Sequence, residues 1–436
     1  MKLLALLAPT LLSFAQAQTF DRAKLDNFLN RLAEKNKGMG SLVLAHDGHV
    51  VYNHSFGQAY IGETARQPIT EYTKFRISSI TKTYTAVLAF QLIEERKLAL
   101  HTTIDKYLPQ IPNASKITIA HILGHRSGIR DLDADGAWGM QARSPEEVLA
   151  RIAQAPPAFE PGTQHQYSNA AFNILGRIVE MAGGLTYRDL LQRKIVAKLS
   201  LQNTYLATTN ADPQKNEALS YRFIDGWKEA RELHPSIPGA AGAILSTPTD
   251  MATFIHALFA GNLISLESLK LMTTLQDGEG MGLEPFTFAG KTCFGHTGGS
   301  GSSGAWLAYC PEEKLALAYT SNAKIFPVKD IVSGVFDIYS NRPFTPPSFE
   351  SIAVSPELLD SYAGVYIFPG TPARIVIARA GASLTFQPPN SPAVTLEAST
   401  ANTFKLEPFL TVEFDGAKQE MTVTRAGQKR LFRKEQ

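Results

Sequence analysis

Ser79-Ile80-Thr81-Lys82, continued by TYTAVLAFQLIEERKL to Leu98, joins a chemical motif to a helical pattern. Ala86, Leu88, Ala89, Leu92 and Ile93 recur at helical spacing. A serine and a lysine three apart share one helix face, about a turn apart. The lysine amine then reaches the serine hydroxyl, which is a poor nucleophile until a neighbouring base takes its proton. The pattern predicts an activated Ser79 in the first helical turn, where backbone N–H groups point outward.

The same letters recur at Ser321-Asn322-Ala323-Lys324. There Pro327 interrupts any helix starting at the serine, so Ser79 is the expected nucleophile. Tyr167-Ser168-Asn169 follows the turn Pro161-Gly162 and precedes a periodic segment, Ala170 to Ala182, that stops at Gly183-Gly184. A tyrosine hydroxyl shuttles a proton where cations stabilise its anion. An asparagine offers a donor and an acceptor to an amide. A second copy, Tyr339-Ser340-Asn341, lies beside a proline-rich segment leading away from the other motifs. His296-Thr297-Gly298-Gly299 is expected at the end of a strand over Phe286 to His296. Its glycines would let a substrate backbone approach, and a strand N–H there would complete an oxyanion hole with that of the nucleophile. A tight hairpin turn is the plainer reading, and the two can hold together.

Further elements frame these motifs. Asp21 to Lys35 reads as an amphipathic helix. Strands at Ser41 to Ala45 and Val50 to Asn53 flank a hairpin turn at Asp47-Gly48. Ser144-Pro145-Glu146-Glu147 is a capping box. Helices are expected over Thr247 to Ala260 and Asp330 to Tyr339, and strands over Ala305 to Cys310 and Leu315 to Ser321. Strands thus flank a block of helices. The expected class is α/β of the α+β type: an antiparallel sheet flanked by helices, with an all-helical region inserted. Residues 341–355 form a proline-rich linker, and 356–436 carry short strand-like runs at regular spacing, a small all-β barrel or meander.

The chain has 436 residues, 44% hydrophobic and 19% charged, with a formal charge of +2. That balance gives no reason to expect a nucleic-acid partner. Lys2, the apolar run Leu3 to Phe14 and Ala15-Gln16-Ala17 fit a cleaved export signal over 1–17, with a buried first helix as the competing reading. No segment is long and apolar enough to span a membrane. The expected location is periplasmic or extracellular, with a mature start near Gln18. Cys293 and Cys310 are the only cysteines. Antiparallel pairing centred near Gly301 to Ser302 would set them opposite each other and predicts a disulfide in an oxidising compartment; two buried free thiols are the alternative.

Three letter patterns are set aside. Gly299-Ser-Gly-Ser-Ser-Gly304 matches a dinucleotide loop, but the strand-like AWLAYC follows rather than a helix. His121 and His125 have zinc-ligand spacing, yet no third ligand is evident, and a structural role near the Ser79 cleft is expected. Asp131, Asp133 and Asp135 alternate like a calcium loop, but the twelfth position is Ala142, which favours a solvated loop. No metal and no cofactor are expected.

The three motifs, in this order and spacing, resemble the class C β-lactamase and D-alanyl-D-alanine carboxypeptidase superfamily of serine hydrolases. Phe75-Arg-Ile-Ser-Ser79, Ile122-Leu-Gly-His-Arg-Ser-Gly128, Phe159-Glu-Pro-Gly162, Tyr167-Ser-Asn-Ala170 and Gly242-Ala-Ile-Leu-Ser-Thr247 look alike too. The likeness covers about residues 21 to 340, within a hydrolase domain drawn at 18–340. The β-rich tail resembles the lipocalin-like domains attached to such hydrolases. The resemblance implies catalysis by Ser79, Lys82 and Tyr167 through an acyl-enzyme. It implies substrate binding by Asn169, His296, Thr297, Gly298 and Gly299, with the Ser79 and Gly299 N–H groups forming the oxyanion hole. His296 stands where many members carry lysine, a fixed charge for a substrate carboxylate, whereas histidine is charged only in part near neutrality. The departure favours peptidase or esterase over β-lactamase. Expected substrates are D-amino-acid peptides of cell-wall type, small esters or β-lactams. A non-catalytic peptidoglycan-binding or penicillin-sensing protein on the same fold is the alternative.

Overall fold

The structure is a computed structural model that describes residues 19–132, 136–224, 226–347, 349–371, 373–389, 391, 393–406, 410–425 and 427–435. The expected signal segment lies outside the described residues. So do Asp133 and Asp135 of the calcium-like pattern and Ser348 of the proline-rich stretch.

An antiparallel sheet carries the architecture. Its order is Glu284–Phe288, Lys291–Ser300, Ser303–Cys310, Leu315–Lys324, Gly38–His46, His49–Phe56. Asp47 and Gly48 both take positive φ, as the tight hairpin turn requires. The central strand Gly38–His46 is buried on both faces. Leu42, Leu44, Leu315 and Leu317 pack against helices Arg22–Glu34 and Val328–Tyr339. Val43, Ala316, Ala318 and Leu307 pack against helix Pro248–Phe259 and, beyond it, helix Thr81–Glu94.

Two expectations change here. The strand expected over Phe286 to His296 is two strands, broken at Ala289 and Gly290, which both take positive φ. The second of them runs on to Ser300, so His296 stands mid-strand and not at its end. The helical block is threaded by short ladders as well, such as Tyr221–Phe223 with Trp227–Glu229 and Phe75–Arg76 with Ile244–Ser246.

Helix Thr81–Glu94 is not amphipathic: every residue from Thr81 to Leu92 is buried. A helix covered all round must satisfy its own polar side chains. Thr83 Oγ1 donates to the Gly282 carbonyl at 2.9 Å, and Thr85 Oγ1 to the Ala240 carbonyl at 2.6 Å.

Cys293 and Cys310 are joined by a disulfide, with Cα atoms 4.1 Å apart. Phe294 pairs with Tyr309 and Ser300 with Ser303, which is the expected register. The bridge packs with Trp306 and Phe288, on the sheet face away from Leu307, the residue opposite His296.

The proline-rich segment is pinned to the hydrolase region. Phe344 meets Phe28 at 5.0 Å and Phe349 meets Phe326 at 5.1 Å between ring centres. Beyond it, strands from Gly364–Ile367 to Gln428–Lys434 pair in chain order and close into an eight-stranded barrel. Strand Arg374–Ala380 alternates buried and exposed side chains as a filled small barrel demands. A helix the sequence reading missed, Pro356–Tyr362, covers the barrel and stacks Tyr362 on Phe414 at 4.5 Å.

Candidate active site

Ser79 lies in a tight turn, Ser78–Ile80, immediately before helix Thr81–Glu94. Ser78 adopts φ +49°, a left-handed conformation uncommon outside glycine. Lys82, one turn on, is fully buried, and its Nζ donates to Ser79 Oγ at 3.2 Å. The amine also donates to Asn169 Oδ1 at 2.7 Å and to the Ala241 carbonyl at 3.0 Å. Burial pulls its pKa down to about 7, against the opposing pull of Asp131 and Glu284. Burial thus favours the neutral amine far more than in water, and in that form it can take a proton from the hydroxyl beside it.

Tyr167 stands over this amine, with Lys82 Nζ 4.7 Å from its ring centre. Burial pushes the Tyr167 hydroxyl well above its ordinary range, and its hydrogen bond with Ser79 opposes that shift. His125 stacks on Tyr167 at 4.4 Å between ring centres. Its Nδ1 accepts from the Ser168 N–H at 3.2 Å, and burial with Lys82 nearby drives its pKa down to about 2. The expected structural role for His125 is met by a neutral ring bracing the Tyr167 turn. His121 Nδ1 accepts from the Thr118 N–H in a capping box instead.

Asn169 opens helix Asn169–Gly183, whose N-cap is Ser168. Its orientation is set by Asp131, which accepts from Asn169 Nδ2 at 2.9 Å, Ala170 N at 2.8 Å and Ser168 Oγ at 3.2 Å. Asp131 stands in a partly exposed loop, as expected, and has a structural task there as well. Its carboxylate caps the helix that starts at Asn169, where free N–H groups favour an anion. Sequence reading missed this because the partners are 38 residues apart. With Oδ1 held by Lys82, one N–H of the Asn169 amide remains for a substrate carbonyl.

The fourth wall is strand Lys291–Ser300. Its outer edge is paired only as far as Gly295, opposite Glu284. The next outward N–H, that of Thr297, donates to Glu284 Oε2 at 3.0 Å. Strand alternation turns the Gly299 N–H to the same open edge. Gly299, Ser79 and Asn169 line one cavity of about 190 Å³. Gly298 serves the protein's own backbone: a Cβ there would lie 2.2 Å from the Ile77 carbonyl oxygen, beside the Ser79 turn.

His296 is buried, and its Nδ1 donates to the Thr297 carbonyl at 2.6 Å, with Glu284 Oε1 3.5 Å away. Burial lowers its pKa against the pull of Glu284, which leaves the ring neutral near pH 7. The position supplies no fixed positive charge. Glu284 is a second residue that sequence reading missed, having no motif around it. Among the described residues no group of three or more His, Cys, Asp or Glu could hold a metal ion. The geometry is a hydroxyl beside a buried amine, a tyrosine beside both, and the backbones of Ser79 and Gly299 at one cavity. Such a set can form and hold an acyl ester on a serine.

A family model described as Beta-lactamase matches residues 26–332, and the chain belongs to this family of serine hydrolases. Penicillin-binding protein 4* of Bacillus subtilis (strain 168) is 24% identical over 388 residues, 81% of this chain and 85% of its own. The D-aminopeptidase of Brucella anthropi is 27% identical over 318 residues, 68% of this chain and 58% of its own. Among solved structures, the octameric penicillin-binding protein homologue from Pyrococcus abyssi matches at TM-score 0.66 and 23% identity, over 95% of this chain and 100% of that one. That last likeness bears on the fold.

Proposed function

We propose that this chain is an exported hydrolase that acts on D-amino-acid peptides and amides, and on small esters, through an acyl-enzyme on Ser79. Neutral Lys82 takes the hydroxyl proton as Ser79 Oγ attacks the substrate carbonyl carbon. The Ser79 and Gly299 N–H groups hold the oxyanion. As the bond to the leaving group breaks, Lys82 passes the proton through Tyr167 to the departing nitrogen or oxygen. A water molecule then adds to the ester carbon and gives its proton to the same pair, which frees the acid and Ser79. Asn169 holds the substrate amide.

One observation carries the reading: the fully buried Lys82 amine, hydrogen-bonded to Ser79 and with a pKa near 7. The likeness to the D-aminopeptidase supports the D-peptide class. The lack of a fixed charge at His296 supports amides and esters ahead of β-lactams, whose carboxylate a lysine at that position would hold. Export rests on the sequence of residues 1–17.

A fluorophosphonate should add one adduct by intact mass, mapped to Ser79. Ser79→Ala should abolish it and Ser321→Ala should not. Labelling that persists in Ser79→Ala refutes the assignment. An adduct without turnover of any D-peptide, amide or ester favours the non-catalytic, penicillin-sensing alternative. N-terminal sequencing of the secreted protein, starting at Gln18, tests export.

A further inference from the structure

We propose that Asp131 makes this site select acyl groups that carry a free, positively charged amine next to the scissile carbonyl. The inference rests on the reading that Ser79 is acylated.

The argument starts from where the acyl group must lie. A leaving group departs beside its proton donor, Tyr167. The cavity of about 190 Å³ is lined by Ser79, Asn169, Gly299 and Asp131, with neither Tyr167 nor His296 in its wall. It is therefore left for the acyl part. Its volume is not far above that of a cavity that binds benzene. It has room for one small residue beside Ser79.

Asp131 is the charge in that wall that makes no direct ion pair among the described residues; the cation it acts on is the buried Lys82, on the other side of Asn169. The other wall charges neutralise each other, since Arg76 Nε lies 3.2 Å from Glu232 Oε2. Glu232 Oε1 is held by Ser220, Ser300 and Ser303 as well. Arg130, next to Asp131 in sequence, points its Nε to the Pro156 carbonyl at 3.2 Å. All three donors to Asp131 are neutral. Lys82 faces Asp131 across Asn169. When Lys82 is neutral, as the attack requires, the carboxylate loses its nearest counter-charge. An ammonium group on the acyl part restores one. The same field repels a substrate carboxylate, and neutral His296 does nothing to offset that.

Three 4-nitroanilides with one leaving group test the idea: D-alanyl, N-acetyl-D-alanyl and propionyl. The free amine should be favoured over both others in kcat/KM by about tenfold to a hundredfold, the worth of one charge-assisted hydrogen bond. Asp131→Asn should collapse that ratio, and Asp131→Glu should restore part of it. If Asp131 only orients Asn169, Asp131→Asn slows all three substrates alike and the ratio stands, which overturns the proposal. Equal rates for the three in the wild-type chain overturn it without any variant. A Ser79 adduct with fluorophosphonate, but no amine preference, sinks this inference alone; the absence of any adduct sinks the proposed function instead.

Discussion

A lysine in water titrates near ~10.4 and is a poor base at neutral pH. Burial changes that at Lys82, whose pKa falls to about 7. The sign follows. Below pH 7 the ammonium predominates and cannot accept the Ser79 proton, so acylation should climb as pH rises through about 7. Lys82→Arg keeps the charge at every accessible pH. It should lose about a hundredfold or more in the rate of fluorophosphonate labelling, the usual scale for an acid–base group. Near-normal labelling in that variant would show that the base is another residue. Ser79, Lys82, Tyr167 and Asn169 were legible in the sequence because each sits in a short motif with fixed local geometry. Asp131, Glu284 and the Ala241 carbonyl were not, because they meet the motifs only through tertiary contacts, 159 residues apart for Lys82 and Ala241.

Strand Lys291–Ser300 serves two neighbours from opposite faces. Gly298 touches the Ile77 backbone, while Cys293 ties the strand to Cys310 on the far side. Gly298→Ala should push the strand off the Ser79 turn, because a backbone carbonyl 2.2 Å from the new methyl cannot yield. The expected cost is about 1–3 kcal/mol in denaturant melts, the range for overpacking, together with slower labelling of Ser79. Replacing both cysteines by alanine should cost about 3 kcal/mol, the loop-closure value for a link of this length. It should leave the labelling rate unchanged, since the bridge faces away from the cleft. A labelling defect as large as that of Gly298→Ala would mean the bridge sets the oxyanion geometry after all. The disulfide register was legible because the turn at Gly301 fixes the pairing of both strands. The break at Ala289 and Gly290 carried a turn signal, a glycine followed by Lys291 and Thr292, which a single strand over Phe286 to His296 passes over.

The hydrolase region and the barrel have separate hydrophobic clusters. Regular strand spacing made the barrel's content legible. Its closure was not, since that depends on Tyr366 of the first strand pairing with Lys434 of the last. The two regions meet through polar contacts. Lys37 pairs with Glu397, and Thr395 Oγ1 donates to the Phe223 carbonyl at 3.0 Å. Lys37 is 7% exposed, so its pair is mostly dry. Glu397→Gln removes the counter-charge while the barrel still covers the amine. It should cost about 1–3 kcal/mol, less than a wholly buried pair because Glu397 is partly wet. Truncation after Ser355 returns Lys37 to water, so that penalty does not arise. None of the cavity-lining residues around Ser79 belongs to the barrel. The truncated chain should therefore melt as one cooperative unit and label at Ser79 within about threefold of the full chain, with any loss traced to hairpin Tyr221–Glu229, which Thr395 holds and which leads into Glu232. Loss of labelling in a truncated chain that still melts cooperatively would show that the barrel shapes the cleft through that hairpin.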